Sequence, residues 1–159
     1  MTTALRCHLL IGPPASGKTT LADALAPLLT RSGEPPAVIL ATDAIRAELY
    51  GDAHIQGNWS EIEAQLHERL CSSVAAAIPV IVDATHAMRP WRLAVTQRLT
   101  LPAPVEWIGW RLTTPLETCL EWNRRRERQV SDAVIQRFTA ALGSPFPPHR
   151  REGFAMLVA

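Results

Sequence analysis

Gly12-Pro13-Pro14-Ala15-Ser16-Gly17-Lys18-Thr19 follows the apolar run Leu5–Ile11 and precedes a segment carrying Leu21, Leu25, Leu28 and Leu29. The run reads as a buried strand. The leucine spacing reads as a helix over 18–31, broken by Ser32-Gly33-Glu34-Pro35-Pro36. A GxxxxGK[ST] pattern counts as a phosphate-binding loop only between a strand and a helix, and both flanks are present. Gly12 and Gly17 let the backbone turn its N–H groups inward around an anion, and the helix adds the positive end of its dipole. Lys18 would reach the β- and γ-phosphates of a triphosphate, and the Thr19 hydroxyl would ligate magnesium. The cradle as a whole is Gly12, Pro13, Pro14, Ala15, Ser16, Gly17, Lys18, Thr19 and Thr20.

Outward from the loop, strands and helices alternate. Val38–Ala41 is a second strand ending at Thr42-Asp43, and a short helix over 44–49 follows. Ser60 and Glu63 read as a capping box opening a long helix with the apolar stripe Ile62, Leu66, Leu70 and Val74. Val80–Val82 is a third strand, ending at Asp83, and Pro90 suits the first turn of a helix over 90–100. A fourth strand covers 105–112. Thr114, Pro115 and Glu117 then supply N-cap, N1 and N3 of a helix running into Arg124–Arg128. Ser131 caps a helix over 132–142, and Phe154–Val158 reads as a fifth strand. This alternation predicts an α/β fold, a parallel sheet with helices on both faces, in one domain over 1–159.

Composition narrows the classes. Hydrophobic residues make up 47% of the 159 and charged residues 19%, which excludes a disordered chain. The longest apolar stretch, Val74–Val82, is too short to span a bilayer and contains Pro79. The N-terminus lacks a signal-peptide layout, so a cytoplasmic protein without membrane contact is expected. Cys7, Cys71 and Cys119 are far apart and form no CxxC, which argues against a disulfide framework or zinc site. The net charge of +1 gives no sign of a large basic surface. Lys18 is the only lysine among 16 basic residues, the rest being arginine.

Ligands of open α/β sheets sit at the carboxyl ends of the strands. Asp43 and Asp83 stand at two such ends. Asp43 could take the proton of an attacking hydroxyl, with Arg46 one turn on holding an acceptor phosphate; equally, Asp43 could be a helix N-cap and Arg46 a surface residue. Asp83 follows Val80-Ile81-Val82 in the manner of an acid that orients magnesium, or it caps the next loop. The run Asn123-Arg124-Arg125-Arg126-Glu127-Arg128 is either a solvated helix face or part of a lid over the triphosphate. Taken as helix, it puts Arg124 and Arg128 on one face. His86, Trp59 and Trp91 read first as packing residues, with base stacking the alternative for the tryptophans.

GPPASGKTT, ATDAIRAELYGD, VIVDATH followed by Arg92, and WNRRRERQVSDAVIQRF together resemble the P-loop kinases related to polynucleotide 5′-kinase, a group that includes zeta-toxin-like proteins. The resemblance covers nearly the whole chain. It implies a five-stranded sheet in the order 2-3-1-4-5 with an arginine-rich lid over about 115–131. It also implies ATP or another nucleoside triphosphate as donor, and Mg²⁺ bound at Thr19 and Asp83, with Asp83 supporting either the metal or the acceptor site. Lys18 would bind phosphate, Asp43 would be the general base, and Arg46 would contact the acceptor or the transferring group. Arg126 would be the lid arginine, and Arg128 a supporting phosphate contact. The acceptor implied is the 5′-OH of DNA or RNA. The wider family also holds small-molecule kinases, so a nucleoside, sugar or antibiotic acceptor stands as the alternative, as does a nucleotide-binding module with weak ATPase activity. Three positions depart from the pattern: Trp122 where arginine is common, His86 where Asn is usual, and Ser131 in place of Pro.

Overall fold

The apolar runs pair into one sheet whose central part, at Leu9–Ile11 and Val80–Val82, is buried on both faces, as a strand covered by helices on both sides must be. In the computed structural model, which describes residues 3–30 and 33–159, β1 (Leu5–Ile11), β2 (Val38–Ala41), β3 (Val80–Asp83), β4 (Val105–Arg111) and β5 (Phe154–Val158) form a parallel sheet in the order β2-β3-β1-β4-β5. That is the order the resemblance implies. β1 lies at the centre, so the loop that follows it opens at the middle of the sheet's carboxyl edge.

Alternation along the strands sorts the core into two layers. Cys7, Leu9 and Ile11 of β1, with Val80 and Val82 of β3, face Ile62, Leu66, Leu70 and Val74 of α3 (Trp59–Ala75). Leu10 and Ile81 point the other way, onto Ala22 and Leu25 of α1 (Lys18–Leu25). On that second face the Trp110 indole donates to His8 Nδ1 at 2.9 Å. Burial pushes the His8 pKa down to about 4, so the ring is neutral and can accept.

Several helix boundaries differ from the sequence reading. The first helix turns to 3₁₀ at Ala26–Leu29, where Pro27 removes a donor; the expected end at Arg31 and the break at Ser32 lie outside the described residues. α3 is capped by Asn58, whose side chain accepts from the Ser60 N–H, so Ser60 is inside the helix and the capping box is not formed. α4 (Arg89–Leu93) continues as a π-helical turn, Ala94–Arg98.

A buried ion pair braces this part of the sheet. Arg92 is fully buried and donates from Nε to Glu152 Oε1 at 3.0 Å, and its Nη1 donates to the carbonyls of His86 and Ala87. The pair ties the loop after β3 to the turn before β5. With all its partners satisfied, a buried guanidinium is tolerable where an unpaired one would not be.

Candidate active site

The phosphate-binding loop is tied down at both ends. The Gly12 N–H donates to Thr85 O at 3.0 Å, and a Cβ at Gly12 would lie 2.6 Å from Ser16 Oγ. Gly17 adopts φ 99°, which favours glycine, and it precedes α1 with no side chain capping the helix. The first N–H groups of α1 are therefore left to an anion. Lys18 is buried and donates from Nζ to Pro13 O at 2.8 Å. Burial pushes its pKa down to about 8; Asp83 and Asp43 oppose that shift and Arg126 adds to it.

This value has a kinetic consequence. With Lys18 meeting phosphate as a charged ammonium, the role its place in the loop suggests, kcat/KM for a triphosphate should fall about tenfold per pH unit above roughly pH 8. Initial rates from pH 6 to 10 would show the limb, and Lys18→Arg, charged throughout, should lack it. A flat wild-type profile to pH 10 would contradict this assignment. The sign for stability is the reverse. The unfolded chain holds the Lys18 proton up to about 10.5. Between about 8 and that value it binds more protons than the fold, so stability gains from rising pH across this window.

Asp83, buried at the end of β3, accepts from the Thr19 hydroxyl at 3.0 Å. Burial raises its pKa, while the Lys18 charge and the Thr19 hydrogen bond oppose the rise. Among the described residues no three His, Cys, Asp or Glu side chains converge as a metal cage. One hydroxyl and one carboxylate side by side suit magnesium, which takes one or two protein oxygens and fills its shell with phosphate and water.

Asp43 lies in the first turn of α2 (Thr42–Tyr50), with Ala41 at the N-cap position, so it is not the cap. Arg46 Nη1 donates to its Oδ1 at 3.0 Å, as the three-residue spacing predicts, and Arg128 pairs with its Oδ2. The charge of Asp43 acts on Lys18, Asp83 and Arg126, placing the four groups in one field.

The arginine run is not one helix. α5 (Leu116–Arg125) stops where Arg126 becomes extended, with φ −87° and ψ 153°. The buried Asn123 side chain causes the turn: its amide donates to Val130 O at 2.7 Å, and its oxygen accepts from the Val130 N–H and from Arg126 Nε. The expected shared face of Arg124 and Arg128 is therefore absent. Arg124 pairs with Asp132 and Arg125 with Glu121, both exposed. Arg126 and Arg128 turn inward, Arg128 Nη2 also donating to Ala53 O at 2.8 Å.

Sequence reasoning missed one fastening. Thr114 does not cap α5; Pro115 occupies that position, and the Thr114 hydroxyl donates to Ser16 O at 2.7 Å, tying the root of α5 to the phosphate loop. No local pattern marks it, since the partners are 98 residues apart. His86 is a brace: its Nδ1 lies 2.7 Å from Leu10 O, and burial pushes its pKa down to about 4.

The central loop, its open helix terminus and the sheet order define a P-loop nucleotide-binding fold of the kind seen in kinases. A family model described as an AAA domain matches residues 7–145, and the chain belongs to that family. No curated protein matches the sequence. Among solved structures, a chain of the Pnkp1/Rnl/Hen1 RNA repair complex aligns with TM-score 0.72 at 18% identity, over 90% of this chain and 45% of that one. The present chain thus spans less than half of that partner. Kti12 from Chaetomium thermophilum, solved with ADP-AlF3, aligns with TM-score 0.65 at 18% identity, over 96% of this chain and 88% of that one. A gluconokinase from Sinorhizobium meliloti 1021 aligns with TM-score 0.60 at 16% identity, over 99% and 83%. At these identities the likeness concerns the fold. No helix among the described residues is long and apolar enough to cross a membrane.

Proposed function

We propose that this chain transfers the γ-phosphate of ATP, or of another nucleoside triphosphate, to a hydroxyl acceptor, the 5′-OH of a polynucleotide. The observation that carries this reading is the placement of Asp43. It stands at the strand end next to Asp83, flanked by Arg46 and Arg128, and its charge is felt at Lys18. A carboxylate so placed takes the proton as the acceptor oxygen bonds to the γ-phosphorus and the bond to the β-phosphate oxygen breaks, releasing the nucleoside diphosphate. Lys18 and Arg126 offset charge on the transferring group. Thr19 and Asp83 would hold magnesium, which would supply positive charge against the triphosphate. The Asn123 turn presents Arg126 from a lid over about 115–131, whose closure would exclude water.

The polynucleotide acceptor is supported by the motif blocks and by the RNA repair neighbour. Trp59 and Trp91 pack on each other, with ring centroids 6.4 Å apart, and Trp91 meets Phe138 edge-on, so they act as packing residues and add nothing to this reading. A small hydroxyl acceptor is favoured by one contrary observation, the net charge of only +1. Salt separates the two. With two or three phosphates of a single strand contacted, log affinity should fall against log salt with a slope of about −1.4 to −2.1. A KM for the 5′-OH oligonucleotide that ignores salt would favour the small acceptor.

A further inference from the structure

A cleft of about 630 Å³ opens beside the phosphate loop, lined by Ser16, Gly17, Thr20, Leu21, Ala24 and Trp122. Gly17, Leu21 and Ala24 are spaced to share one side of α1, whereas Thr19 reaches Asp83 on β3. Thr20, next to Thr19, lines this cleft, so a triphosphate with its γ end at Thr19 and Asp83 has the cleft beside it for its ribose and base. Its floor is the backbone of the loop and its wall is an indole. Trp122 Cζ3 lies 3.7 Å from where a Cβ on Gly17 would be, and the residue is 45% exposed, so its ring borders both the loop and solvent.

The wall grows from a segment whose root is fastened to the loop. Trp122 precedes the buried Asn123, which holds the end of α5, and Thr114 fastens the root of α5 to Ser16 O. The cleft's chemistry is equally specific. Its side chains are an indole, an isobutyl group, a methyl and two hydroxyls, with no carboxylate, amide or guanidinium to read the edge of a base. Ser16 Oγ is buried without a partner, and so is free to meet a phosphate or ribose oxygen.

We propose that Trp122 is the stacking platform for the donor's base, and that this site holds purines by their faces without reading their edges, so that ATP and GTP serve nearly alike. The proposal rests on the nucleotide-donor reading above. Stacking is tolerant of base identity because every base has a π-face, and a larger ring system covers more of the indole.

Calorimetric titration of the intact protein with Mg-ATP, Mg-GTP, Mg-CTP and inorganic tripolyphosphate tests it. ATP and GTP should bind within about threefold of each other, and CTP more weakly. Trp122→Ala should weaken ATP and GTP by about tenfold and leave tripolyphosphate unchanged, while Trp122→Phe keeps most of the affinity. In turnover, Trp122→Ala should raise KM for ATP and spare kcat. The side chain is exposed, so the variant should unfold at the wild-type midpoint. Unchanged ATP binding in Trp122→Ala, equal losses for ATP and tripolyphosphate, or a wild-type preference for ATP over GTP beyond tenfold would each overturn the proposal. If wild-type protein binds neither ATP nor tripolyphosphate, the donor-site reading itself falls. If tripolyphosphate binds as tightly as ATP, only the platform falls.

Discussion

Asp43→Asn should lower phosphoryl transfer by about 10²–10⁴-fold, the scale of losing a positioned general base. The substitution preserves shape and an oxygen that can accept from Arg46, but it removes the charge that pairs with Arg128 and the ability to take a proton. KM for the triphosphate should change little, because the proposed donor contacts lie in the loop and not at Asp43. A second signature separates charge from structure. Asp43 is one of two carboxylates that hold up the pKa of Lys18. Removing its charge lowers that pKa further, so the alkaline limb of the pH profile should move to lower pH. Steady-state kinetics with labelled ATP would measure both, and full transfer by Asp43→Asn would remove Asp43 from the mechanism.

Lys18→Ala should lower turnover by about 10²–10³-fold, through loss of a charge that stabilises the transferring phosphoryl group. The fold should survive. Lys18 is buried, and its ammonium loses hydration that Asp83 and Asp43 only partly restore. Its removal relieves that cost while leaving Asp83 short of a counter-charge, so the Asp83 pKa should rise. Turnover measured beside the unfolding midpoint decides the matter. An inactive, unstable variant would point to a structural lysine, and an active one would remove Lys18 from the site.

The sheet was largely legible in the sequence because its central strands are buried on both faces and the apolar runs end at Gly12, Asp43 and Asp83. The phosphate loop was legible because its chemistry demands fixed residues at fixed spacing. The pairing of Asp43 with Arg46 followed from one turn of helix. What helical periodicity could not supply was the end of α5. The run of arginines carries no helix breaker, and the stop is imposed by Asn123 bonding to Val130 across the turn. Arg128 consequently lies on Asp43 and the carbonyl of Ala53, partners that belong to the loop after α2 and its first turn. Contacts of this kind join segments distant in the chain. The same holds for Thr114 on Ser16 and for Arg92 on Glu152. Trp122 was visible only as a departure from a pattern; its place beside Gly17 gives that departure a physical meaning.

The central claim is that a hydroxyl, not water, receives the γ-phosphate. Its most direct measurement is transfer of label from γ-labelled ATP with Mg²⁺, offering 5′-OH DNA, 5′-OH RNA and small hydroxyl compounds in parallel with a no-acceptor control. We expect label to appear on a 5′-OH polynucleotide at a rate well above release of free phosphate, and to be absent when the 5′ end is already phosphorylated. Free phosphate released at the same rate with every acceptor and with none would contradict the claim.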